Sequence, residues 1–90
     1  MLKKIKQLLE KNAYKQISET STEIFYIKHY TTGNHSINLE KNPLNLCVHR
    51  FELNNMFKHN ITLEKLKEIE EDVKASTKII TNIAIILMKG

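Results

Sequence analysis

Few side chains in this 90-residue chain can do chemistry: one cysteine (Cys47), four histidines (His29, His35, His49 and His59) and one aspartate (Asp72). Cys47 and His49 stand two apart in a run of strand-forming residues, a spacing that puts both on one face of a strand. Adding His29 or His35 gives the donor types of a Cys-His-His zinc site. The spacing fits no established zinc pattern and a single thiolate is on offer, so the histidines are expected to be ordinary strand residues and no metal is expected. A thiol nucleophile needs an imidazole within hydrogen-bond reach, a third group to orient it, and an anion hole. Residues i and i+2 of a strand hold their Cβ atoms too far apart for easy contact, and no glycine or helix start adjoins them. Cys47 is therefore expected to be buried and inert. Glu68, Glu70, Glu71 and Asp72 gather carboxylates, but Lys67 and Lys74 interleave with them, and the group reads as a solvated helix face. With one aspartate and one internal glycine, Gly33, no phosphate cradle, EF-hand loop or paired-aspartate site can be written. The chain is expected to be no enzyme and to need no cofactor.

Charge is distributed unevenly. Lys3, Lys4, Lys6, Lys11 and Lys15 face Glu10 alone in the first fifteen residues, so the whole net charge of +4 sits there. Residues 16–60 and 61–90 each balance. The basic face formed by Lys3, Lys4, Lys11 and Lys15 is the candidate contact for nucleic acid or an acidic partner. Thirteen lysines to one arginine, with twelve isoleucines and nine asparagines, is the codon skew of an AT-rich genome, a low-GC bacterium or its phages and plasmids. No apolar signal segment is present, and the longest apolar run, Ile79 to Met88, is half of the roughly 20 residues a membrane span requires. A cytoplasmic protein with no membrane contact is expected.

The elements that must position these residues follow from pattern. Leu2, Ile5, Leu8, Leu9 and Ala13 share one side of a helical projection over residues 2–13, and lysines occupy the other. From Tyr14 to Leu53 the composition turns to Thr, Tyr, Phe, Ile and Val, with extended runs at 14–19, 22–31, 36–40 and 44–53. Turns are expected at Glu19-Thr20-Ser21, Thr32-Gly33-Asn34 and Lys41-Asn42-Pro43, with Gly33 and Asn34 taking positive φ. Residues 54–60 read as a loop. Thr62 can cap a helix, Ile61 and Leu66 stand at staple positions, and no proline or glycine interrupts the chain again before Gly90. One helix from about Leu63 to about Met88 is expected, its outward face carrying Glu64, Lys65, Lys67, Glu68, Glu71, Asp72 and Lys74. The expected fold is a single α+β domain over residues 1–90: a small antiparallel sheet of three or four strands, a short N-terminal helix and a long C-terminal helix.

A helix, three antiparallel strands and a helix is also the order of double-stranded RNA-binding domains, a likeness of topology. That family opens its second helix with a lysine-rich stretch that clamps phosphates. Here the matching stretch, Thr62-Leu63-Glu64-Lys65-Leu66-Lys67-Glu68, offsets two lysines with two glutamates, so the chain is not assigned to that family.

The strands look apolar on both faces: Ile24 and Tyr26 oppose Phe25 and Ile27, while Leu44, Leu46 and Val48 oppose Cys47, Phe51 and Leu53. Either the helices divide between the faces or a partner covers one. The expected function is that of a small non-enzymatic protein-binding protein, an inhibitor or adaptor such as a mobile element encodes against host defences. A nucleic-acid-binding module is the alternative. Ile79, Ile80, Ile83, Ile86 and Leu87 exceed what so small a sheet can cover, so a homodimer through the C-terminal helix is expected. The competing arrangement lays the first helix across them as an ordinary monomer core.

Overall fold

A computed structural model of the chain, describing residues 1–54 and 61–89, shows an α+β fold. Helix α1 (Leu2–Lys11) leads into β1 (Lys15–Glu19), β2 (Glu23–His29), β3 (Gly33–Lys41) and β4 (Leu44–Leu53), and helix α2 (Leu63–Lys89) follows. The strands form one antiparallel meander in sequence order. The loop expected over 54–60 lies, from residue 55 onward, outside the described residues.

α1 buries Ile5 and Leu9, four residues apart on one face, and leaves most of its lysines to water. It stops where Ala13 takes a left-handed φ of 66° and the Tyr14 N–H donates to the Leu9 carbonyl at 2.9 Å. The Asn12 side-chain amide closes the Leu8 carbonyl at 2.8 Å. This reversal directs Tyr14 into the core and starts β1 as an edge strand. The β1–β2 turn is held by Thr20, whose Oγ1 accepts the Glu23 N–H at 3.0 Å.

The β2–β3 turn departs from expectation. It closes one residue or more earlier, over Tyr30–Thr32, with the Tyr30 N–H donating to the Gly33 carbonyl at 2.8 Å. Gly33 is already in β3, and its φ is not positive. Its need for glycine is steric instead: a Cβ there would stand 2.1 Å from the Glu52 carbonyl oxygen of β4. The β3–β4 turn contains a cis Asn42–Pro43 peptide, and Pro43 precedes its strand as expected.

Register decides which face each strand residue serves. Ile24 pairs with Leu39 and Tyr26 with Ile37, and all four are fully buried against α1 and α2. Both helices therefore cover the same face. A bulge at Cys47 inverts the alternation of β4, because Leu46 pairs with Leu39 while Val48 pairs with Asn38. Leu44 and Leu46 join the core side, and Val48 falls on the opposite one. The expected grouping of Val48 with Leu44 and Leu46 is thus corrected, and so is the placing of Cys47 on the face of His49. Strict alternation fails where an extra residue intervenes.

α2 is continuous over 27 residues, about 40 Å. Thr62 caps it, its Oγ1 accepting the Lys65 N–H at 3.3 Å, although Ile61 and Leu66 at the staple positions are both about half exposed. Ser76, where the apolar pattern lapses, is buried and donates to the Asp72 carbonyl at 3.0 Å. Asp72 is not on the solvated face assigned to it. It is half-buried, and its Oδ2 accepts the Thr32 Oγ1–H at 2.5 Å and the Thr32 N–H at 3.4 Å. This contact pins the middle of α2 to the β2–β3 turn.

Two stability changes follow. Thr32→Val strands a half-buried carboxylate and should cost about 1.5–3 kcal/mol. Gly33→Ala forces β4 away from β3 and should cost about 1–3 kcal/mol. Urea unfolding of each variant beside the unaltered chain measures both, and a midpoint unchanged in either would contradict the contact described.

Candidate binding surfaces

Three places gather the polar or exposed apolar groups that could act. The first lies under the sheet. Tyr14, delivered by the α1 stop, shares a 2.5 Å hydrogen bond between its hydroxyl and His35 Nδ1. His35 is 1% exposed, and burial first, then the charges of His49 and Lys28, hold its pKa down to about 4. Burial pushes the Tyr14 hydroxyl well above its ordinary value, so this pair stays neutral. The buried Nε2 of the same ring has no hydrogen-bond partner among the described residues. Lys28 stacks over Tyr30 at 4.6 Å and over Tyr14 at 5.7 Å, and Tyr30 leans on Phe51 at 5.8 Å. His49 meets His35 edge-on at 6.1 Å. At neutral pH neither the hydroxyl nor the imidazole is charged.

The second place is the sheet face that neither helix covers. Phe25 and Ile27 are half-buried there, opposite in alternation to Ile24 and Tyr26, and Val48 is 49% exposed. Phe25, Ser36, Asn38, Val48, Arg50 and Glu52 line a shallow depression of about 280 Å³. Asn38 is buried within it, and its Oδ1 has no donor among the described residues. Arg50 and Glu52 pair at 3.0 Å along its border. At one end of the sheet the Cys47 Sγ and the Glu23 and Glu40 carboxylates come within 4.8 Å of one another, the donors that could hold a cation. Cys47 is exposed, not buried as expected, because the bulge removes it from the pairing that buries its neighbours. Desolvation and the charges of Glu40 and Glu23 raise its thiol pKa, which works against a nucleophile.

The third place is a groove between α1 and the end of α2, about 570 Å³, lined by Met1, Lys3, Lys4, Gln7, Ile85, Ile86 and Lys89. Of the four lysines proposed as a contact face, Lys3 and Lys4 reach it. Lys11 is two turns further along α1, about 12 Å by helical rise, and Lys15 stands exposed on β1. Lys89 joins the groove unanticipated, because its approach to α1 depends on how the helices dock. Of the residues expected to self-associate, Ile79 and Ile83 are buried in the chain's own core with Ile5 and Leu9, and Ile86 and Leu87 pack against that core. Ile80 is half-buried. The cover over these residues is α1, as in the competing monomer arrangement. Among the described residues no helix is long and apolar enough to cross a membrane.

Comparison with protein-family models, with characterised proteins and with solved structures finds no match for this chain.

The state of His35 fixes a pH dependence. Its imidazole titrates near 6.5 when unfolded and near 4 when folded, so the unfolded chain binds the extra proton between these values. Stability is full above about pH 6.5 and falls as pH drops toward 4. His35→Gln keeps an acceptor for Tyr14 and removes the titration. Its urea midpoint should fall less than that of the unaltered chain between pH 7 and pH 4.5, and parallel losses would assign the dependence elsewhere.

Proposed function

We propose that this chain is a non-enzymatic protein-binding protein, an inhibitor or adaptor of the kind a phage or mobile element encodes against host defences, and that its open sheet face carries the contact. One observation supports this above the others: both helices cover the same face, leaving Phe25, Ile27 and Val48 uncovered on the other. The Asn38 acceptor in the same depression gives a partner's donor a defined place to bind, since a buried carbonyl oxygen without a donor costs about 1–3 kcal/mol. Small size and AT-rich composition support the mobile-element origin.

A nucleic-acid-binding reading has its own support in Lys3, Lys4 and Lys89, which gather at one groove and form no ion pair among the described residues. Affinity for a random RNA or DNA duplex would then fall steeply with salt, and Lys3→Gln with Lys4→Gln would weaken it for every sequence alike.

Affinity capture from extract of a low-GC bacterial host, with the unaltered chain and with Val48→Asp as baits, tests the leading reading. Val48 is exposed, so the substitution leaves the fold intact. A protein retained by the unaltered chain and lost with Val48→Asp is the expected result. Retention by both baits, or a ligand consisting of nucleic acid, would overturn it.

A further inference from the structure

We infer that the outer edge of β4 pairs with itself: it adds antiparallel to the same edge of a second copy, about a two-fold axis at Phe51, and joins the two meanders into one continuous sheet. This edge is separate from the open-face contact proposed above, and neither reading depends on the other.

β4 ends the strand order, and among the described residues only β3 pairs with it. The ladder shows which of its backbone groups are already used. The Asn54 N–H donates to the Thr32 carbonyl at 3.0 Å, next to the paired residues Gly33 and Leu53, so Asn54 stands at a hydrogen-bonded position. Such positions recur at every second residue of an antiparallel pair. Glu52, Arg50 and Val48 therefore bond inward to Asn34, Ser36 and Asn38. The N–H and C=O groups of His49, Phe51 and Leu53 point away from β3, toward the outside of the sheet. The opposite edge, β1, is five residues long and irregular between Gln16 and Ser18, two features that blunt an edge. β4 has neither bulge nor proline from Val48 to Leu53.

Hydrogen bonding and charge select the same register. A mating strand must set outward residues against outward residues. A two-fold axis at Phe51 pairs Phe51 with the partner's Phe51, and His49 with the partner's Leu53, so every outward residue of this stretch gains a mate. The same axis sets Arg50 opposite the partner's Glu52, and Glu52 opposite the partner's Arg50. These are the non-hydrogen-bonded positions, where Cα atoms approach to about 4.5 Å and side chains lie closest. Arg50 and Glu52 share one face, are 68% and 60% exposed, and already pair within the chain at 3.0 Å. In the dimer the four side chains alternate in sign along each strand and across the interface, with like charges only on the diagonals. An axis at Arg50 would oppose two arginines and set Leu53 against the Cys47 bulge, and an axis at Glu52 would oppose two glutamates. Every contact in the chosen register occurs twice, as an isologous interface requires.

Sedimentation equilibrium from micromolar to submillimolar concentration, with reductant present because Cys47 is exposed, tests this. The expected mass at the upper end is about twice 10.5 kDa. Arg50→Glu and Glu52→Arg should each weaken association at least about tenfold, because either one makes all four charges alike. Mixing the two variants returns opposite charges to both cross-strand pairs and should restore the dimer. The double swap Arg50→Glu/Glu52→Arg should associate as the unaltered chain does. Both positions are exposed, so circular dichroism should be unchanged throughout. Amide hydrogen exchange places the contact: His49, Phe51 and Leu53 should slow as concentration rises, while Arg50 and Glu52, already bonded to β3, should change less. A mass of 10.5 kDa throughout, a mixture no tighter than its components, or a dimer in which the His49, Phe51 and Leu53 amides are not slowed would overturn the inference. None of these results bears on capture of a partner by the open face, which Val48→Asp reads separately.

Discussion

A single apolar sheet face has to be covered by helices that lie at opposite ends of the chain. Ile24, Tyr26, Ile37 and Leu39 offer that face, α1 covers it with Ile5 and Leu9, and α2 with Ile79 and Ile83. Each fully buried aliphatic side chain contributes about 1.5–3 kcal/mol, and none of the elements holds enough of them to be stable alone. The contact between Asp72 and Thr32 then fixes where along its 40 Å length α2 rests. A helix slid by one turn would lose that charge-assisted bond and would offer other residues to the sheet. Everything exposed on the molecule, from the open sheet face to the outer stripe of α2, is exposed because this seam consumes the rest.

The polar residues under the sheet belong to the same constraint. Tyr14 reaches His35 only because Ala13 reverses the chain at the end of α1, and the pair is neutral because burial disfavours both ions. Such an arrangement stabilises one packing of α1 against the sheet. Cys47 reaches the surface, and local desolvation together with the Glu40 and Glu23 charges raises its thiol pKa. At all three residues the surroundings disfavour the ionised form.

Two surfaces of different character remain open on the outside of the fold. The open sheet face is mixed, with an aromatic, two aliphatic side chains, a buried amide acceptor and the Arg50–Glu52 pair at its border. The outer side of the helices is segregated by charge, basic where α1 meets the end of α2 and acidic along the first turns of α2. The net charge of +4 arises wholly in the first fifteen residues, and the fold carries Lys3 and Lys4 of that segment beside Lys89.

The sequence by itself determined the element order, the extent of α2 and the edges of most strands. These depend on local periodicity, on the Thr62 cap and on the absence of a breaker, all of which act over a few residues. It also pointed to the apolar residues of both strand faces and to the surplus of lysine in α1. Tertiary structure decided the faces. One extra residue at Cys47 reversed the alternation of β4, moved Val48 to the open side and brought Cys47 to the surface, and a bulge leaves no mark in composition. Asp72, surrounded by glutamates in sequence, became a tether because Thr32 lies in a turn forty residues away. Gly33 owed its place to the Glu52 carbonyl of the neighbouring strand, not to its own torsion angles. Side-chain pattern is a local property of the chain, whereas partnership across a sheet or between helices depends on register, and register is set only when the whole apolar face is covered at once.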